Sequence, residues 1–309
     1  MAIGHGTEPR NYRHSVLPEI ECSSQPVPLK DADSQNSYAD EVPRRSGVEH
    51  MSAALIVNAD DWGRDLHTTD RILDCVLRGS VSSASAMVFM EDSERAAAIA
   101  VERGIDTGLH LNLTTAFSAA TCPGQLKEHQ QKLARYLSAF SPARVLYNPW
   151  LASSFEYAVK AQIEEYSRLY GAAPLRFDGH HHMHLSANIL LDNLLPLGTI
   201  VRRHFSHESD EKILRNRLFR RFTNLLLGRA HRVVDFFFSL PPLEPPGRLQ
   251  SILALAREFV VELETHPVNP GEYRFLMNEE LFHRAGGFTI ASHFAVSPIT
   301  RLHAPKREM

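Results

Sequence analysis

Residues 52–63 read SAALIVNADDWG, and the change of character inside this stretch decides the fold. Ala54–Asn58 (ALIVN) is a short run rich in β-branched residues, as expected of a strand covered on both faces in a parallel sheet. It ends in Asn58-Ala59-Asp60-Asp61, polar residues placed where such a strand stops. Moving towards the C-terminus, the same alternation recurs. Thr68–Leu77 carries Ile72, Leu73, Val76 and Leu77 at helical spacing. Ser82–Phe89 reads as a second strand. Ser93–Arg103 reads as a helix closed by Gly104, and Ile105–Leu113 as a third strand. Helices are expected over Pro123–Ala143 and Ser154–Tyr170, the latter ended by Gly171 and Pro174. Leu175–Asp178, Thr199–Arg202, Val233–Phe238, Val260–Thr265 and Phe288–Ser292 read as strands four to eight. Ile189–Leu195, Lys212–Leu227, Leu249–Phe259 and Asn278–Ala285 are the helices between them. Strands alternating with helices imply βα units and a parallel sheet. About eight units in roughly 255 residues is the size of an α/β barrel of the TIM type, with the active site at the C-terminal strand ends. The glycine fingerprint GxGxxG of an open dinucleotide-binding sheet is missing after the first strand.

The flanks and the composition set limits. Residues 1–50 are rich in Ser, Pro, Glu, Asp and Asn, show no hydrophobic period, and are expected to form a disordered extension. Residues 51–309 form the barrel domain. Met51 stands directly before the first apolar run, so an upstream extension of the reading frame explains the tail equally well. The start MAIGHGTEPRNYRH has no apolar h-region, and no run approaches the ~18 apolar residues of a membrane span. A net charge of −3 gives no reason to expect nucleic acid. Cys22, Cys75 and Cys122 are far apart and form no CxxC, which excludes a cysteine zinc site and fits a reducing, cytoplasmic setting. A homodimer is the default expectation, because two-fold dimers are the commonest assembly. The 17 histidines are the anomaly, since histidine is both a neutral metal ligand and a proton carrier near pH 7.

Four segments place chemically capable residues at strand ends. Asp60-Asp61 follows the first strand. As helix-capping residues they would be ordinary, but after an apolar strand they give two carboxylates on different sides of the chain, one able to bind a metal and the other to act as a base. His110 lies in GLHLNLT (108–114). A lone histidine there is commonly a hydrogen-bonded core residue, yet Asn112 and Thr114 share its face at the two-residue period. In DGHHHMH (178–184), an extended chain sends His180 and His182 to one side and His181 to the other. Not all of them can ligate one ion, and the rest would orient ligands or meet substrate. His266 precedes Pro267 in ETHP (264–267), which holds it extended. Two histidines and a carboxylate suit zinc and similar divalent ions and leave positions for water and substrate. Such a set hydrolyses amides or esters, and no GxSxG elbow, P-loop or HExxH competes with it.

Together, NADDWG (58–63), GLHLNLT, DGHHHMH, Arg202 and ETHP resemble the YdjC-like carbohydrate deacetylases, which include chitooligosaccharide deacetylase and hopanoid-biosynthesis-associated members. The resemblance covers about residues 53 to 292. It implies a distorted (β/α) barrel and removal of the acetyl group from an N-acetylated sugar with a divalent ion, Mg²⁺ or Zn²⁺. It also implies roles for individual residues. Asp61, His110 and His180 are the metal ligands, Asp60 the general base and His266 the general acid. Arg202 is a substrate or oxyanion contact or orients Asp60, and His182 and Asn112 fall with it on the substrate side. The family usually has Phe where Trp62 stands, and often Asn and Gly where this chain has Thr69 and Arg71. Two other readings use the same parts: a hydrolase of another amide or ester, and a metal- or sugar-binding protein without turnover. The arginines of the helix over Lys212–Leu227 read first as a solvated face, and alternatively as a contact for an anionic membrane surface or charged substrate.

Overall fold

In the computed structural model the described residues are 53–139, 144–206, 214–243, 246–278 and 290–296; of residues 214–219, 246 and 294 only the backbone is described. The expected extension over residues 1–50 lies outside them. Seven strands, β1 (Ala54–Trp62), β2 (Ser83–Ala86), β3 (Thr107–Leu111), β4 (Arg176–Gly179), β5 (Ile200–Val201), β6 (Phe236–Ser239) and β7 (Val260–Thr265), form one sheet in the order β5-β4-β3-β2-β1-β7-β6. Every pairing in it is parallel. The sheet curls until its edges touch. Ile200 of β5 makes a parallel bridge to Arg232, which leads into β6, and the amide of Ser206 donates to the carbonyl of Phe237 at 2.8 Å. This is the TIM-like barrel in distorted form.

The helices are α1 (Leu66–Arg78), α2 (Ser93–Arg103), α3 (Gly124–Ala139), α4 (Ala152–Tyr170), α5 (Ala187–Leu191), α6 (Leu214–Ala230), α7 (Pro246–Leu255), α8 (Pro270–Met277) and α9 (His293–Val296). The expected helix over Asn278–Ala285 lies outside the described residues apart from Asn278, which follows α8. The expected strand over Phe288–Ser292 lies partly outside the described residues, and of those described Ile290 makes one parallel bridge to Leu55. β1 pairs with β2 from Asn58 onward, and Ile290 meets the same edge of β1 lower down, at Leu55. After that bridge the chain turns into α9.

Side chains alternate along the strands with the two-residue period. Leu55, Val57 and Ala59 of β1, Leu109 and Leu111 of β3, Phe177 of β4 and Val261 and Leu263 of β7 pack into the main core with the helices. The opposite face lines the barrel. Near the N-terminal strand ends this lining is apolar, with Ala54, Ile56, Val234, Phe237, Val260 and Val296 in a second, smaller core. Higher up it is Asn58, Asp60, Ser85, His110, Arg176, Asp178, Glu262 and Glu264, all buried. Barrels of this type are ordinarily filled by branched aliphatic side chains, so the polar upper half marks where the chemistry is. Gly108 makes room for it: a Cβ there would stand 2.8 Å from Cζ of Arg176, which crosses the barrel at that level.

Trp62 is buried, and its Nε1–H donates to the carbonyl of Ala96 at 3.2 Å, so the larger ring satisfies its own polar atom. In α6, Thr223 and Leu227 are buried while Phe222 and Leu225 face solvent. Cys75 and Cys122 are unpaired and buried. Among the described residues no helix is long and apolar enough to cross a membrane.

Candidate active site

The site begins where β1 breaks its own period. The register with β2 shifts between Ala59 and Trp62, and Asp61 takes a left-handed backbone conformation with φ 71°. A non-glycine residue holds that conformation only when its surroundings impose it. The irregularity reverses the expected divergence of the two carboxylates. Both reach His110, whose Nε2 is 4.0 Å from Asp60 Oδ2 and 3.5 Å from Asp61 Oδ1.

The histidine run is bent rather than extended. His180–Leu185 forms a 3-10 turn in which His181 and His182 have φ of 56° and 57°. Their alternation is thereby lost, and each histidine meets a different partner. Nδ1 of His180 lies 2.9 Å from Asp61 Oδ1. His181 is exposed and bonded to Thr114 Oγ1 at 3.0 Å. His182 packs edge-on to Phe205 with Nε2 at 3.7 Å from Glu264 Oε2. His184 is fully buried and donates from Nε2 to the carbonyl of Arg202 at 2.9 Å.

Asp61, His110 and His180 each present an atom capable of metal ligation, and these atoms lie within 4.8 Å of one another. Of these atoms, His110 Nε2 is buried without a hydrogen-bond partner, and Asp61 Oδ1 is buried with only the two candidate ligands, His180 Nδ1 at 2.9 Å and His110 Nε2 at 3.5 Å, beside it. The other nitrogen of His110, Nδ1, sits 2.7 Å from Asp178 Oδ1. That carboxylate fixes the ring by its Nδ1 edge and turns the Nε2 edge towards Asp61, the arrangement found behind metal-bound imidazoles. Burial alone would depress the pKa of His110, but the charges of Asp60, Asp178 and Asp61 outweigh it and lift it to about 9. Asp61 is shifted the other way: burial raises its pKa, and His180 and His110 together pull it well below the usual carboxylate range.

Arg202 stands at the centre of the barrel. Its Nη1 and Nη2 hold both oxygens of Asp60 at 2.7 and 2.8 Å, its Nε donates to Glu262 at 2.7 Å, and Nη1 also reaches Glu264 at 3.2 Å. Nη2 lies 3.2 Å from Asp178. A buried carboxylate would normally be raised, but Arg202 and then His110 hold Asp60 below its ordinary value. Glu264 stays well above its own, pushed up by burial and by the charge of Asp60. Arg202, expected either to meet substrate or oxyanion or to orient Asp60, directs its guanidinium at Asp60 and the other protein carboxylates and is buried. Asn112 is also buried: its amide donates to Thr115 O at 2.7 Å and accepts from the backbone of Thr114 and Thr115. It shapes the turn after β3.

His266 lies at the edge of this cluster, with a ring nitrogen within 4.8 Å of ligand atoms of Asp60 and Glu264. The residue that fixes it is one the sequence reading passed over. Glu272 is buried in the first turn of α8. It accepts from His266 N at 2.8 Å, Thr265 Oγ1 at 2.8 Å and Asn269 Nδ2 at 2.7 Å. The signal was present in Asn269-Pro270-Gly271-Glu272, where the glutamate stands three residues after the helix cap.

Burial holds His184 at a pKa of about 4. The unfolded chain therefore binds a proton at this residue below about pH 6.5 while the folded chain does not. The stability His184 contributes is complete above pH 6.5 and declines as pH falls towards 4. In His184→Gln, whose amide can still donate to Arg202, the unfolding free energy between pH 6.5 and 4.5 is expected to lose up to one proton of pH dependence, about 1.4 kcal/mol per pH unit. Urea titrations at three pH values measure this, and an unchanged slope would refute the assignment.

A curled parallel α/β barrel with an Asp-His-His grouping and a second buried carboxylate at its C-terminal mouth defines the class of protein. The family model described as YdjC-like protein matches residues 54–281, and the chain belongs to that family. Similar curated proteins are a chitooligosaccharide deacetylase of Enterobacter sp. (strain 638), 31% identical over 44% of this chain and 52% of that protein, and one of Serratia marcescens, 30% identical over 45% and 53%. The match thus spans about half the length of these relatives. A crystal structure from Enterococcus faecalis V583, provisionally named a cellobiose-phosphate cleavage protein, shares the fold. Its TM-score is 0.54 with 18% identity, over 78% of this chain and 97% of that one.

Proposed function

We propose that this chain removes the acetyl group from an N-acetylated sugar, using a divalent ion held by Asp61, His110 and His180. The observation that carries the reading is the convergence of Asp61, His110 and His180, whose ligand atoms lie within 4.8 Å of one another, with His110 Nε2 buried and without a hydrogen-bond partner. Buried polar atoms without partners are rare, and this donor set of one oxygen and two nitrogens suits a divalent first-row metal. When bound, such an ion supplies Lewis acidity and an acidified water. The names of the similar proteins point to an acetylated oligosaccharide as substrate.

The chain's own residues then divide the proton work. Asp60 takes the proton of the attacking water as its oxygen adds to the acetyl carbonyl carbon. Arg202 keeps that carboxylate ionised and oriented, so it is a positioning residue. As the C–N bond breaks, His266 protonates the sugar nitrogen, leaving acetate and a free amine. Glu272 holds His266 in place through its backbone N–H.

The experiment is acetate release from a panel of N-acetylated mono- and oligosaccharides by native and metal-stripped protein. Release that stops on stripping and returns with Zn²⁺ or Mg²⁺ is expected, and the better ion identifies the metal. No acetate from any member would remove deacetylation. A separate measurement addresses the site itself. In Asp178→Asn the partner of His110 Nδ1 loses its charge, and metal affinity measured by chelator competition is expected to fall about 10–100-fold. Unaltered affinity would show that His110 is not a ligand oriented by Asp178.

A further inference from the structure

Helix α4 fixes the height of a wall beside the barrel mouth. Its Tyr166 hydroxyl donates to Thr107 O at 3.1 Å, at the start of β3. One turn earlier, Gln162 is bonded to the backbone N and O of Asn112 at 2.8 and 3.2 Å, just past the end of β3. The helix therefore runs antiparallel to β3. It begins at Ala152, so at ~1.5 Å per residue it rises about 15 Å beyond the level of Asn112. Trp150 stands at its top, in the 3-10 turn Pro149–Leu151, and is 86% exposed. Tryptophan is ordinarily among the more buried residues, and here it stands with exposed Val145, Leu146 and Tyr147 in one stretch of apolar surface, the kind of patch that binding sites use.

The mount is tied by hydrogen bonds to α5. Asn148 N donates to Asn188 Oδ1, and Asn188 Nδ2 to Asn148 O, both at 3.0 Å. The Tyr147 hydroxyl donates to Asp192 at 3.0 Å, and Asn148 Oδ1 accepts from Trp150 N at 3.1 Å. Asn188 and Asp192 belong to α5 and its end, which directly follow the histidine turn. Leu146 and Tyr147 are exposed next to Trp150, and residues 145–151, VLYNPWL, carry no charge.

We infer that Trp150 is an aromatic platform that stacks against a sugar ring of an uncharged oligosaccharide whose acetylated unit occupies the site. A preordered, flat, neutral surface with one polar ring edge matches a ring that has apolar C–H faces and hydroxyl edges. Its height above the mouth means that a single sugar in the site does not reach it. This inference rests on the deacetylase reading for the orientation of the ligand.

The test uses the full chain. Trp62 is buried, so acrylamide quenching of the two tryptophans reports Trp150. A chitin trisaccharide is expected to shield Trp150 from acrylamide, and N-acetylglucosamine is not. In Trp150→Ala the KM for acetate release from the trisaccharide should rise roughly tenfold, the scale of losing one aromatic contact, with kcat and the monosaccharide constants unchanged; Trp150→Phe should restore it. Absence of shielding, together with an unaltered KM, would overturn the platform while leaving deacetylation intact. Shielding that depends on protein concentration without sugar would also overturn it, by assigning the patch to self-association. If the native protein releases no acetate, shielding alone decides: its presence upholds the sugar platform while the reaction falls.

Discussion

Replacing Asp60 by Asn is expected to lower acetate release by about 10²–10⁴-fold, the range lost when a positioned base is removed. Metal affinity should stay within about threefold, because Asp61, His110 and His180 keep their own partners. The substitution is nearly isosteric, so the change is one of charge. The amide no longer accepts a proton, and its NH₂ faces Asn58 Nδ2 or Arg202, both of which are donors at 2.7–2.8 Å from the present carboxylate. Steady-state kinetics and a metal titration on the same preparation separate the two effects. A variant keeping more than about a tenth of native kcat would take the role of base away from Asp60.

The second large effect is on stability. Arg202→Met should destabilise the protein by about 3–5 kcal/mol, the usual consequence of removing one side of a buried ion pair. The cause lies in what remains: Asp60, Asp178, Glu262 and Glu264 all lie within 3.2 Å of this one guanidinium and would be left without it in the barrel interior. Arg202→Lys is expected to recover little, since a single ammonium cannot reproduce a forked contact to carboxylates on several sides. Urea denaturation measures both variants. A loss below about 1 kcal/mol would mean that the cluster is hydrated and that Arg202 is not its keystone.

Much of this was legible in the chain. The strand-end positions of Asp60, His110, His180 and His266 follow from the alternation of apolar runs and helices, which placed the strands to within a few residues. Two features were not legible, because they depend on backbone conformations that no periodicity encodes. An extended reading of Asp60-Asp61 separates the carboxylates, whereas the bulge and the left-handed Asp61 bring them together. An extended reading of DGHHHMH puts His180 and His182 on one side, whereas the left-handed His181 and His182 give them different partners. Arg202 and Asn112 show the other limit. A polar residue at a strand end looks the same in sequence whether it faces substrate or its own neighbours, and here both are buried against protein groups.

The concentration of four carboxylates on one guanidinium has a consequence for how this protein can change over time. Positions 60, 178, 262 and 264 all face the same guanidinium, so a change at one alters what Arg202 offers the others. Among the described residues, no hydrogen bond or ion pair links the wall carrying Trp150 or the turn after β3 to these four positions. A substitution at the mouth can therefore leave the buried cluster beneath it as it is.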